Sequence, residues 1–440
     1  MNIPDTMKDI ARWANDYIIK EGATGARVSL ITSVDNALEY RIDQIDKLQQ
    51  STENKLFLEI FINGRYGSFS TNRIERKELE SFIREGVRAT ELLSPDACRQ
   101  LPDESRYYKG EMSGLDLFDN NLEGVTIDEK ISLVKSTVDE VLGNDKRIVS
   151  VSANLYDSVT SEYIVASNGF EGMSIDSACS LGAEVSLKTE GDARPEAYWS
   201  ESAIFWEKLP KEDIASRAFE RALGKIGQAK IKTGKYNVLF DNRTSSRLLS
   251  PLISAMYASA IQQKNSFLLD KLGKDITSPI LSIKDTPHLQ GNFGARWYDG
   301  EGVATQERYI IEEGKLSIYF IDTYNSLKMN IEPSISSPSV LEMEAGADSF
   351  DGLMKKMYAG IWITGFNGGN CNPATGDFSF GIEGFVIEGG NIAQPVSEMN
   401  ITGNILDLWK NLLAVGNDPR KNTSWRVPSL VFGDISLSGI

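Results

Sequence analysis

A chain of 440 residues, 41% hydrophobic and 25% charged, has the composition of a folded protein with room for two or three domains. Its 46 Lys and Arg stand against 62 Asp and Glu, a net charge of −16 that repels nucleic-acid phosphates and anionic membranes. The short basic clusters Lys355-Lys356 and Arg420-Lys421 read as solvated surface, so neither a nucleic-acid nor a membrane partner is expected.

The first residues carry no basic region followed by an apolar core, and no window is apolar enough for a transmembrane helix. A cytoplasmic location is the expectation. Residues 6–20 place Met7, Ile10, Ala11, Ala14, Tyr17 and Ile18 on one face, a helical spacing with Gly22 available as terminator. Strand-like runs follow at 27–34, 56–62 and 65–71. Asn63-Gly64 between the last two predicts a hairpin, because both turn positions must tolerate positive φ. Residues 75–93 and 127–143 read as amphipathic helices, and 93–121 between them as a long polar connection. Alternation returns over 151–173, broken by a turn at Ser167-Asn168-Gly169. A helix is expected over 209–231 after Pro210, then a strand from Gly234.

The second half repeats one phrase. YIIEEGKLS (309–317) and FVIEGGNIA (385–393) each read as strand, glycine turn and strand, expected as two hairpins of one antiparallel sheet. Residues 248–273 and 400–418 are expected as helices, the latter capped near Thr402 and ended by Gly416. The predicted class is α+β: an N-terminal α/β region with hairpins, then a domain built on an antiparallel sheet with packed helices. The predicted domains are 1–231, with a sub-boundary near 93–121, and 232–440.

Local motifs for chemistry are sparse. There is no phosphate-binding loop ending in Lys-Ser or Lys-Thr, and no GxSxG elbow. Cys98, Cys179 and Cys371 are too scattered for a disulfide framework or a zinc knuckle. The single histidine, His288, sits in the turn-like DTPHLQG, and a site needing two histidines from this chain is excluded. Asp299-Gly300-Glu301-Gly302 reads as a turn feeding a strand, with carboxylate ligation of a hard cation as the alternative. In GGNCNPATGDF, Cys371 is a nucleophile only if a base stands beside it; the other reading is an inert thiol.

The wording of 266–285, 299–329, 372–418 and 427–439 resembles the TldD/PmbA family, in order and spacing over roughly residues 230–440. It is more similar to PmbA, also called TldE, than to TldD. The resemblance implies a two-subunit peptidase in which TldD holds a metal through HExxxH on a helix and a later cysteine, with the glutamate as general base. In the register that aligns 252–261 with that helix, Ser254, Ala255 and Ser259 occupy the His, Glu and His positions. The later cysteine would fall near Asn422–Trp425, where none occurs, and 230–287 contains no histidine.

The reading is therefore a cytoplasmic PmbA/TldE-like subunit with no catalytic residues, cofactor or metal of its own. Zinc-like chemistry is expected only in a TldD-like partner chain. The expected partners are that TldD-like metallopeptidase subunit or a second copy, with peptides as substrate. Asp299, Glu301, Asn372, Thr375 and Asp377 are the candidates for lining a cavity or touching the peptide. Two alternatives stand beside it: a regulatory interaction protein of the gyrase- or toxin-modulator type, and a stand-alone hydrolase using Asp299, Glu301 and Cys371.

Overall fold

The computed structural model describes residues 4–191 and 193–439, so Met1–Ile3 of the N-terminal segment lie outside the described residues. The chain forms two compact units, Met1–Leu223 with Gln290–Thr305, and Gly224–Leu289 with Gln306–Ile440.

The first unit is one long antiparallel sheet with helices. Its elements are α1 (Asp5–Lys20), β1 (Gly25–Arg41), β2 (Gln44–Ile62), β3 (Arg65–Thr71), α2 (Arg76–Glu91), α3 (Ile127–Asp139), β4 (Ile148–Ala166), β5 (Glu171–Leu187), β6 (Glu196–Ala203) and α4 (Ile214–Gly224). The strand order is β3-β2-β1-β4-β5-β6. The expected Asn63-Gly64 hairpin is present, both residues left-handed at φ 48° and 79°. α1 buries Ala11, Ala14 and Ile18 with Leu79 and Ile83 of α2, over Val28, Leu30, Leu56 and Leu58 of the sheet. The one buried polar side chain of α1, Asn15, donates from Nδ2 to the carbonyls of Ala26 and Val165 at 3.2 Å each. α3 opens on a capping box between Thr126 and Glu129.

β2 outruns its neighbour. β3 pairs only with Leu56–Ile62, and every residue from Gln44 to Glu53 is exposed. Among the described residues no strand covers the outer edge of 44–55.

The helix expected over 209–231 is shorter, Ile214–Gly224. Left-handed Asp213 (φ 60°) precedes it, and Gly227 (φ 80°) turns the chain beyond it. Both positions break the helical backbone locally.

The second unit contains β7 (Gly234–Phe240), α5 (Ser246–Ser254), α6 (Ala258–Gln262), β8 (Ile283–Asp285), β9 (Arg308–Glu312), β10 (Lys315–Leu316), α7 (Thr323–Met329), β11 (Leu341–Met343) and α8 (Phe350–Met357). β12 (Gly360–Cys371), β13 (Asp377–Glu388), β14 (Asn391–Asn404), α9 (Ile405–Lys410), β15 (Leu412–Val415), β16 (Trp425–Arg426) and β17 (Leu430–Ser438) complete it. β7, β12, β13, β14 and β17 close into a small barrel through the β14–β17 pairing, with β15 added on β17. The other sheet runs β10-β9-β8-β11-β16. The molecule is α+β.

Three local expectations are corrected here. Residues 248–273 are not one helix, because Tyr257 is extended and bridges Phe320, whose carbonyl accepts from Ala258 N at 2.8 Å. Residues 400–404 are strand, since Thr402 lies between Ser379 of β13 and Ser436 of β17. The helix cap is Asn404, whose side chain accepts from Leu406 N, and the helix ends at Lys410 before β15. The two echoed hairpins form as hairpins, with turns at Glu313-Gly314 and Gly389-Gly390, but belong to different sheets. In each case hydrogen bonds from a distant strand outweigh local helical spacing or similarity of wording.

Candidate functional site

β12 and β13 leave the barrel wall as a glycine-rich hairpin. β12 pairs with β7 only through Ile361–Ile363, while its pairing with β13 continues to Cys371. From Gly365 to Cys371 no second strand flanks it among the described residues. Two register shifts, at Ile363/Gly365 and Phe366/Gly369, bend this stretch away from the regular ladder. Gly369 is required there: its φ is +105°, and a Cβ would stand 2.1 Å from the Ser379 carbonyl oxygen.

The hairpin end is ordered by its own polar groups. Asn372 Oδ1 accepts from Ala374 N at 2.9 Å, and Asn372 O accepts from Gly376 N at 2.8 Å. Thr375 Oγ1 donates to Asp377 Oδ2 at 2.8 Å, and Asn404 Nδ2 donates to Asp377 Oδ1 at 3.0 Å. The Asn404 and Thr375 bonds hold the Asp377 carboxyl below the usual carboxylate range. Asn372, Thr375 and Asp377 are thus brought together as one exposed cluster. Beside it lies a recess of about 430 Å³, lined by Lys235, Phe378, Asn404, Asp407, Lys410 and Asp434.

Cys371 is half-buried at the start of this turn, and burial, then the Asp377 charge, pushes its thiol above the ordinary cysteine value. A thiol held protonated is a poor nucleophile. Iodoacetamide at pH 7 is expected to label Cys371 more slowly than an unstructured cysteine peptide, read by mass spectrometry. His288 lies on a turn, where partial desolvation lowers its imidazole pKa.

Asp299 and Glu301 belong to the first unit. Asp299 is only 2% exposed, and its Oδ1 accepts from Glu301 N at 2.9 Å and Val303 N at 3.0 Å. That carboxylate closes a turn, with left-handed Gly302 against the Phe170 ring.

Ser254 ends α5 and is exposed, Ala255 is buried in the break, and Ser259 is exposed on α6. The extended Tyr257 breaks the helix, so Ser254 and Ser259 stand on two separate helices, with Ala255 between them. Their donors, two hydroxyls and a methyl group, do not fit a transition metal. Among the described residues no group of three or more His, Cys, Asp or Glu side chains is arranged to hold a metal ion. Among them, too, no helix is long and apolar enough to cross a membrane.

Sequence reasoning missed a groove of about 540 Å³ in the first unit, walled by Val34, Leu38, Leu48 and Leu155. At its floor Lys130 Nζ pairs with Asp157 Oδ2 at 2.7 Å, and Asn36 Nδ2 donates to Asp157 Oδ1 at 2.8 Å. The available signal was Lys130 itself, which sits one turn before Val134 on the buried stripe of α3.

Residues 233–439 match the family described as PmbA/TldA metallopeptidase C-terminal domain, and 120–226 its central domain. The chain is 26% identical over 421 residues to Metalloprotease PmbA of Escherichia coli O157:H7, covering 94% of this chain and 92% of that protein. A crystal structure from Bacteroides thetaiotaomicron, described as a candidate modulator of DNA gyrase, is 50% identical with TM-score 0.97, and each chain is covered completely. TldE from Thermococcus kodakarensis shares the fold at TM-score 0.82 and 18% identity, over 98% of this chain and 100% of that one.

Proposed function

Because the chain belongs to the PmbA/TldD metallopeptidase family, we propose that it is the metal-free, PmbA/TldE-type subunit of a cytoplasmic two-chain peptidase. The observation that carries this reading is the donor set at the aligned ligand positions, Ser254, Ala255 and Ser259, on a segment broken at Tyr257. The metal and the general base then come from a TldD-like chain, and no hydrolytic step runs through residues of this one.

The contribution of this subunit is to hold substrate. The Gly365–Cys371 edge of β12 can accept an extended peptide as an added strand, which gives main-chain affinity without sequence preference. The Asn372, Thr375 and Asp377 cluster stands at the end of that edge and supplies polar contacts. Asp299 is committed to its turn, where its carboxylate accepts from Glu301 N and Val303 N.

The test is reconstitution. The purified chain is expected to bind no stoichiometric zinc and to leave an unfolded peptide intact. Hydrolysis is expected when a TldD-like chain bearing HExxxH is added, at a rate above that of the added chain alone. Zinc-dependent cleavage by the isolated protein, with one metal bound per chain, overturns the reading. Two structural relatives described as candidate gyrase modulators favour a regulatory role as second reading. With a net charge of −16, such a role runs through protein contacts, and no DNA mobility shift at physiological salt is expected.

A further inference from the structure

Tyr163 on β4 and Met173 on β5 pack toward α1 and α2. Their neighbours Glu162 and Ser174, with Asp176 two residues on, therefore point to the opposite face of the sheet. The register sets Glu162 opposite Ser174 and Thr160 opposite Asp176, so the two carboxylates are diagonal neighbours. Such neighbours stand about 7–8 Å apart, close enough for both side chains to reach one small ligand. Glu162 is half-buried and Asp176 exposed, and neither makes a hydrogen bond or ion pair with the described residues. Arg27 and Arg296 act on Glu162 through charge alone, and Arg27 is paired with Glu59.

A third polar group is aimed at the same place. Tyr298 is 7% exposed and stands edge-on to Phe170, with ring centroids 5.1 Å apart. Its hydroxyl has no hydrogen-bond partner among the described residues, an uncommon state for a buried polar atom. That oxygen lies over Gly172, two residues before Ser174 on the same face, where a Cβ would come within 2.9 Å of it. Burial, then the Glu162 charge, raises the phenol above its ordinary pKa, which keeps it protonated. Partial desolvation, then the Asp176 charge, raises the Glu162 carboxyl, and partial desolvation raises Asp176. A cation bound between them relieves both carboxylates.

The geometry points to a primary ammonium group, at the start of a peptide or on a lysine, as the occupant of the site formed by Glu162, Asp176 and Tyr298. An ammonium has three donors, and the two carboxylates with the Tyr298 oxygen supply three acceptors. Among the described residues no third His, Cys, Asp or Glu joins the pair, which leaves a metal ion short of ligands. Ile31, opposite Glu162 on β1, offers an apolar floor for the carbon chain next to the ammonium. The inference rests on the peptide-holding reading and adds what the β12 edge lacks, a preference for charge.

The test is fluorescence anisotropy of the isolated full chain with three short peptides labelled at the C-terminus. One is lysine-free with a free N-terminus, one is its acetylated form, and one is acetylated but carries a lysine. At least one ammonium-bearing peptide is expected to bind about tenfold more tightly than the lysine-free acetylated one. Whichever gains the affinity identifies the source of the ammonium. Glu162→Gln and Asp176→Asn keep the side-chain shape and remove the charge, and each is expected to abolish most of that preference. Affinity for the lysine-free acetylated peptide is expected to stay unchanged in both variants, which misfolding cannot produce. Three peptides that bind alike, or none that binds, overturn the inference, as does a preference that survives either substitution. The measurement needs no TldD-like chain and no hydrolysis, so its failure is distinct from a failed reconstitution.

Discussion

Trp409→Ala is expected to destabilise the second unit by about 4 kcal/mol, within the range for removing a fully buried aromatic. Trp409 is 0% exposed, packs edge-on against Phe432 with ring centroids 5.4 Å apart, and donates from Nε1 to the Leu248 carbonyl at 3.4 Å. It anchors α9, a helix of 6 residues that is too short to persist without tertiary contacts. The barrel strand β17 carries Phe432 and α5 carries Leu248, so the cavity left by truncation opens between α9, α5 and β17 rather than at the surface. Urea unfolding followed by circular dichroism measures the loss as a lowered midpoint. A change below about 1 kcal/mol, the level of a surface substitution, contradicts this placement of the side chain.

Asp157→Ala is expected to cost about 3 kcal/mol, the lower end of the range for breaking a buried ion pair. The Lys130 and Asp157 side chains are 9% and 4% exposed, so removal of the carboxylate leaves an ammonium group with little water around it. The adjoining groove admits some solvent, which is why the lower end applies. The double change Lys130→Met, Asp157→Leu removes both charges and is expected to recover most of the loss. Half-buried Asn36 keeps access to water when its acceptor is gone. If the single variant is as stable as the original, the pair behaves as a surface ion pair and the account of the groove floor fails.

Much of the first unit was legible. The β2–β3 hairpin followed from Asn63-Gly64, since few residues but Asn and Gly tolerate left-handed φ at both turn positions. α1 and α2 followed from apolar spacing, because each packs one face on a sheet and leaves the other to solvent. The barrel was not legible. Leu252–Ile261 and Ile401–Leu413 have helical apolar spacing, yet Tyr257 is held by Phe320 and Thr402 by two strands. In the hairpin 360–388 the glycines marked a turn, and only the packing shows why Gly369 and Gly384 admit no side chain. A Cβ on Gly384 would stand 1.9 Å from the Trp362 carbonyl oxygen.

The sequence by itself determined that this chain has one histidine and no cysteine near 422–425, so it cannot supply two histidine ligands to one site. Composition cannot be altered by folding, so that conclusion needed no coordinates. Tertiary structure alone decided which segments became strands, that Asp299 serves a turn, that Asn404 ties down Asp377, and that the β2 edge is left open. Those outcomes depend on hydrogen-bond partners far away in sequence, and local periodicity carries no record of them.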